Sequence, residues 1–430
     1  MGFWETISIN DLGEIITGST PPTKKTEYYG DRYPFITPTD ICTDSRTVQT
    51  ERFLSHAGYK NQKNRILPPN AVCITCIGST LGKISMTTAP SSTNQQINSV
   101  IVNHQKHDPF FVYYLLSTIR ERLHSIAGGV ATPIVNKSSF SNLEVSVPPL
   151  QTQQKIAAIL STYDDLIENN TRRIKILEDM AQNLYKEWFV HFRFPGHENV
   201  PMVESELGPI PNGWEIVQLG KIANLYRGRS YRSKNLMEEG EGLPFINLKN
   251  VDREGGFRPD GLKWYDGDFK ETQTANSNDI VMALTDMTQE RKVVARCARV
   301  PDLGHDKYVF SMDLLKVQAM DNIQEGFLYG ILKYSSFPQI LKEYANGTTV
   351  LHLSPKQVET GQLVLPKSEL RSKYANITNL IRKQTDDLQK KNYVLQETRN
   401  ILLPKLISGE IDVSNMHIDT QRLQEKSSES

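Results

Sequence analysis

The chain has 430 residues, with 49 Lys and Arg against 49 Asp and Glu, so its formal net charge is zero. That balance excludes a protein that coats nucleic acid by bulk charge, and leaves room for a local basic face. Hydrophobic content of 38%, only four cysteines, no membrane-length apolar run and no basic-then-apolar start predict a cytoplasmic protein of two or three domains with no membrane contact.

A first domain is expected over residues 1–149. Residues 4–16 read as a strand, a turn and a second strand or helix. The turn-rich loop Gly18-Ser19-Thr20-Pro21-Pro22-Thr23-Lys24-Lys25 offers Thr20, Lys24 and Lys25 as DNA contacts, and is equally explained as a solvated loop. Residues 33–37 and 71–77 read as buried strands. Cys73 and Cys76 make a lone CxxC. A structural zinc site needs four ligands, so the pair reads as two small hydrophobes in a strand, and no metal site is expected. Gly78-Ser79-Thr80-Leu81-Gly82-Lys83 fails as a phosphate loop, because Ile77 stands where a glycine is needed and Ile84 where Ser or Thr should follow the lysine. It reads as a strand-to-strand loop, with Thr80 and Lys83 as candidate contacts. The polar loop Asn94-Gln95-Gln96 carries amides of the kind that bond adenine. Residues 109–125 read as an amphipathic helix ended by Gly128-Gly129, and residues 143–147 as a strand.

Pro148 and Pro149 then forbid helix, and no Pro or Gly follows until Pro195. Between them, Ile156, Leu160, Tyr163, Ile167, Asn170, Ile174, Leu177, Ala181, Leu184 and Trp188 recur at alternating steps of four and three. A 3.5-residue period predicts a long helix with a narrow seam against a second long helix. The helix is expected over residues 150–194, about forty residues spanning roughly 60 Å, as a spacer. Residues 195–212 read as a linker.

A second domain is expected over residues 213–366. Lys221, Arg227, Arg229 and Arg232 occur with Tyr226 and Tyr231 and no acid among them. Cations with aromatics suit phosphate contact and base readout, so Arg227, Arg229 and Arg232 are candidates, with a charged solvated loop as the alternative. Lys249 follows the next strand, and the loop from Asp286 adds Arg291 and Lys292 where the first domain has Thr80 and Lys83. A second long helix is expected over residues 367–411. Tyr374, Ile381, Leu388, Leu395 and Leu402 fill every seventh place, with polar Thr378, Thr385, Asn392 and Arg399 between them. Pro404 should bend or end the last turn. The tail, residues 412–430, is polar and expected to be disordered.

The chain repeats itself at about 210–220 residues. Pro34-Phe35-Ile36 answers Pro244-Phe245-Ile246. Phe111 to Leu116 answers Phe327 to Leu332, and Gly129-Val130-Ala131-Thr132 answers Gly347-Thr348-Thr349-Val350. The expected fold class is α+β: two duplicated mixed α/β domains separated by two long antiparallel helices that form a coiled coil, with pseudo-two-fold symmetry. Centring the seams on each other places Asn170 opposite Asn392, a polar contact able to fix register. The seam and partner-docking residues are then Ile156, Leu160, Ile167, Asn170, Ile174, Leu177, Leu184 and Trp188 with Leu388, Asn392, Leu395 and Leu402.

Val147-Pro148-Pro149-Leu150 with Gln153-Gln154-Lys155-Ile156-Ala157-Ala158-Ile159-Leu160, the Asp164-Asp165-Leu166-Ile167 run and the closing Leu402-Leu403-Pro404-Lys405-Leu406-Ile407-Ser408-Gly409-Glu410-Ile411 carry a family pattern. The chain resembles the specificity subunit of type I restriction–modification systems over nearly its whole length. The second copy departs, with Leu365-Pro366-Lys367-Ser368-Glu369-Leu370-Arg371 in place of the double-proline and glutamine opening. The resemblance implies two target-recognition domains, each reading half of a split double-stranded DNA site, and paired helices that set the gap. It also implies docking of two modification subunits, which bring S-adenosylmethionine and methylate adenine, and of restriction subunits that use ATP and Mg for translocation and cleavage in phage defence. No cofactor is expected in this chain, and no catalytic residue. The residues agree, since no Asn/Asp-Pro-Pro-Tyr motif and no intact phosphate loop occur. Two other readings remain at this point: a specificity chain serving a fused methyltransferase–nuclease, and a two-domain scaffold that binds proteins without reading DNA.

Overall fold

A computed structural model of the chain describes residues 4–42, 45–128 and 133–421. The expected repeat element at Gly129 to Thr132 and the last nine residues of the expected tail lie outside the described residues. The chain divides into two compact units, Met1–Asn170 with Lys391–Ser430, and Thr171–Lys390. Among the described residues no helix is long and apolar enough to cross a membrane.

Both units are mixed helix and strand, and they repeat one topology. In the first, Gly13–Thr17, Ile97–Val102, Val72–Thr75 and Ile84–Met86 lie side by side in that order. In the second, Ala223–Arg227, Leu314–Ala319, Ile280–Ala283 and Cys297–Arg299 do the same. Each unit has a second sheet, four-stranded around Tyr33–Ile36 and five-stranded around Leu243–Ile246. Each of these strands takes a parallel partner, Ile36 opposite Thr93 and Ile246 opposite Phe310. The strand that opens each domain pairs antiparallel with the strand that precedes a long helix: Glu5–Ser8 with Glu144–Val147, and Glu215–Gln218 with Gln362–Leu365. Each long helix therefore starts from a backbone already held by its own domain.

The first long helix is Leu150–Tyr185, continued by a π-helical turn, Lys186–Val190. It stops short of the expected end for a packing reason. Phe192 adopts φ 56°, and Phe189 and Phe194 turn in against Trp214 with ring centroids 6.0 and 5.3 Å away. Gln153 is buried at the helix start. Its amide donates to Pro148 O at 2.8 Å, and its carbonyl oxygen accepts from the Asp108 N–H at 3.0 Å. The second long helix, Ser368–Ile407, has Arg371 at the corresponding step, and Arg371 Nη1 donates to Asn322 O at 3.3 Å. A different side chain thus makes an equivalent anchor, although the Arg371 Nε stays buried without a partner.

Pro404 sits inside the second helix and does not end it. It is exposed and falls in the last turn, where solvent can satisfy the carbonyl that its missing N–H leaves free. The stop comes at Gly409, with φ 77°. The stretch expected as one helix over 109–125 is two, Pro109–Ser117 and Arg120–Ile126. The tail is not loose at its start as expected. Val413 is 1% exposed, Ile418 packs on the same core, and Lys155 Nζ holds Ser414 O at 2.6 Å.

Within the first unit the two helices run antiparallel. Ile156 and Leu160 share one core with Leu406 and Ile407, and burial of each such side chain contributes about 1.5–3 kcal/mol. Asn170 Nδ2 donates to Asn392 Oδ1 at 2.9 Å, the facing that the centred seams place there, and Asn392 Nδ2 reaches Ile167 O at 3.4 Å. In the second unit Tyr374 is fully buried, and its hydroxyl donates to Ala181 O at 3.3 Å. Leu184 and Trp188 pack against the same core. Thr378 and Thr385 are buried seam positions whose hydroxyls donate to their own helix, to Tyr374 O at 3.1 Å and to Arg382 O at 2.8 Å. No seam hydroxyl is left unsatisfied there. Leu388 is buried, while Ile174, Leu177, Leu395 and Leu402 are half-buried.

Cys73 and Cys76 point into two different cores. Burial pushes the thiols of Cys73, Cys76 and Cys297 up to about 12, 11 and 12, while Cys42 is exposed. The thiolate is the reactive form, so iodoacetamide at pH 8 should alkylate Cys42 alone in the folded chain. Mass spectrometry of the labelled peptides checks this, and equal labelling of Cys73 would contradict the packing.

Candidate nucleic-acid interface

The candidate residues fall on loops that the sheets hold at corresponding places. In the first unit the strand Gly13–Thr17 runs into Gly18. A Cβ there would clash with the carbonyl oxygens of Thr93 and Asn94, so only glycine lets the two backbones touch. In the second unit the strand Ala223–Arg227 runs into Gly228, where a Cβ would clash with the carbonyl oxygens of Phe310 and Ser311. The backbone crossing is the same, and the side chains that leave it differ: Ser19 and Thr20 in one unit, Arg229 and Ser230 in the other.

In the first unit Thr20 Oγ1 donates to Gln95 Oε1 at 2.7 Å. Ser19 Oγ donates to Gln62 Oε1 at 2.8 Å and accepts from Arg65 Nη1 at 2.6 Å. Lys24 and Lys25 are exposed, and the Lys25 ammonium lies 5.2 Å from the Tyr28 ring centroid. Lys83 is half-buried and its ammonium donates to Ile41 O at 3.3 Å. Thr80 is half-buried in the same loop, and its carbonyl accepts from Thr75 Oγ1.

In the second unit Arg227 is exposed, with Nε 3.3 Å from Met312 O. Arg229 is half-buried and its Nε has no partner. Arg232 and Lys249 are exposed. The loop after Asp286 is tied together by that residue's carboxylate. Burial pushes the Asp286 carboxyl up, but N–H donors from Val293 and Thr288, at 2.6 and 2.8 Å, hold it below the usual carboxylate range. On that loop Arg291 pairs with Glu343 at 2.9 Å and Lys292 with Glu290, so both cations are already neutralised by a carboxylate. A cavity of about 500 Å³ opens beside Arg227, lined also by Thr285, Tyr344, Asn346, His352 and Gln357.

Sequence reasoning noted Gln95 only as one amide of a polar loop, and it missed Gln62 and Arg65. One signal was available: no Asp or Glu occurs between Glu51 and Asp108, while Arg52, Lys60, Lys63, Arg65, Lys83 and Lys106 all do. Their convergence on Ser19 and Thr20 was not readable, because it joins positions dozens of residues apart.

Comparison with known proteins places this geometry. Residues 1–179 and 211–395 match the profile of the type I restriction modification DNA specificity domain. The specificity subunit of the type I restriction enzyme MjaIX of Methanocaldococcus jannaschii is 28% identical over 427 residues, covering 96% of this chain and 94% of that protein. The HindI specificity subunit of Haemophilus influenzae is 36% identical over 184 residues, 41% of this chain and 39% of that protein. Among solved structures, the type I restriction–modification S subunit of M. genitalium shares the fold with a TM-score of 0.57 at 17% identity, covering 94% of this chain and 96% of that one.

Proposed function

The chain belongs to the family of type I restriction–modification DNA specificity domains, and from that premise we propose that it reads DNA for such a system without catalysing its chemistry. Each domain reads one half of a bipartite site. The paired helices set the gap and dock the modification subunits. Methylation and cleavage, with their S-adenosylmethionine, ATP and Mg, belong to modification and restriction subunits in the cytoplasm.

The observation that carries this reading is the pair of corresponding loops after Gly18 and Gly228. One backbone path presenting Ser19 and Thr20 in one unit, and Arg229 in the other, suits two readers on one scaffold with different targets. The helices add support for docking. Leu166, Tyr393, Val394 and Ile401 in the first unit, and Ile176, Met180, Ile377 and Leu380 in the second, are exposed apolar residues on the long helices, and apolar groups left on a helix face suit a protein partner.

The test is a salt titration. Phosphate contacts release counterions, and each contributes about 0.9 to the slope of log affinity against log salt. Changing Arg227→Ala and Arg229→Ala together should weaken binding and lower the slope by about 2. Unchanged affinity and slope across the titration would count against the second domain's role.

A further inference from the structure

The short helix His56–Asn61 and the turn Lys63–Arg65 form an exposed basic element on the first unit. The whole stretch from Arg52 to His107 lacks an acid. The element is firmly mounted. Gly58 packs so closely on Tyr28 O that a Cβ would clash with it. Ser55 caps the helix through the Gly58 N–H at 3.2 Å and also donates to Glu27 O. Tyr59 stacks on Tyr33 with centroids 4.0 Å apart, and Arg32 lies over the same Tyr33 ring at 5.4 Å.

Arg65 stands at the end of this element. Two other exposed arginines sit against acids, Arg193 on Glu187 at 2.6 Å and Arg258 on Asp260 at 2.6 Å. Arg65 is also exposed, and it donates to a hydroxyl, Ser19 Oγ, at 2.6 Å. That hydroxyl is itself aimed by Gln62, which is 4% exposed. The buried amide orients the hydroxyl, and the hydroxyl orients the guanidinium. A planar fork fixed in this way loses little side-chain entropy on binding. One N–H is used by Ser19, and the others can meet a pair of acceptors. In the major groove the matching pair is guanine O6 and N7.

We propose that Arg65, positioned by Ser19 and Gln62, reads a guanine in the half-site bound by the first domain, with Lys60 and Lys63 on the flanking phosphates. The inference rests on the DNA-reading role proposed above. Its test uses the full chain and a library of duplexes with two randomised segments at varied spacing, sequenced after selection. Wild-type selections should contain a G·C position that Arg65→Ala and Arg65→Lys both relax, with guanine preference falling by about 5- to 150-fold and every other position kept. Arg65→Lys keeps the charge, so its salt slope should match the wild type. Lys60→Ala with Lys63→Ala should lower affinity evenly and leave the preference intact. A wild-type selection with no enriched bases would overturn the DNA-reading role itself. Enrichment that Arg65→Ala leaves untouched, or an Arg65→Ala loss spread evenly over all sequences, would overturn the base contact alone.

Discussion

Replacing Asp164 with Ala should destabilise the first compact unit by about 3–5 kcal/mol. Asp164 is buried on the first long helix and accepts from the Tyr114 hydroxyl and from the Arg399 guanidinium of the second helix. Next to it, Arg46 pairs with Asp165 at 2.9 Å, and Arg46 already has Nε and Nη1 buried without partners. Burial, and then the Asp164 carboxylate, push the Tyr114 hydroxyl far above its usual range, so it stays a donor at working pH. Removing the carboxylate strands a phenol and a guanidinium in a low-dielectric site, and the loss is that of unpaired polar groups as well as of a contact. Hydrogen exchange followed by mass spectrometry should show Pro109–Ser117 and residues 150–170 opening more readily. The pair Asp164→Leu with Arg399→Met should recover much of the loss, because apolar replacement of both partners can be nearly neutral. Unchanged protection in Asp164→Ala would mean that the domain does not depend on this network.

Inserting seven residues after Asn170, with seven more between Lys390 and Lys391, should abolish binding to the natural site. A heptad keeps the seam in phase. On the proposed spacer role it adds about 10 Å at 1.5 Å per residue, close to three base pairs at 3.4 Å each. Three base pairs also turn the groove by nearly a third of a turn, since one turn takes 10–10.5. Recovered sites should therefore carry a gap longer by about three base pairs and bind less tightly. Retention of the original gap at full affinity would remove the helices from the ruler role.

The duplication was legible in matched segments such as Pro34-Phe35-Ile36 and Pro244-Phe245-Ile246, and the first long helix in the apolar period of Ile156, Leu160 and Ile167. The second seam looked weaker than its packing. Thr378 and Thr385 read as polar, and only the folded helix shows their hydroxyls turned back on its own carbonyls. Arg371 read as a departure from the glutamine opening, and its reach to Asn322 O depends on tertiary position. The early end of the first helix follows from Phe189, Phe194 and Trp214 meeting across a turn that no local propensity specifies. At the candidate interface the basic and polar loop residues were visible by type. What the sequence could not supply was which of them are already engaged, as Lys83 is with Ile41 O, and which are aimed by buried neighbours, as Arg65 is.

Selecting the natural chain on duplexes with two randomised segments, with the spacing between them also varied, tests the central claim most directly. Two short enriched blocks at one constant separation are predicted, with the first-domain and second-domain variants each altering a different block. A single contiguous block altered by both sets of variants, or enrichment at every spacing alike, would contradict it.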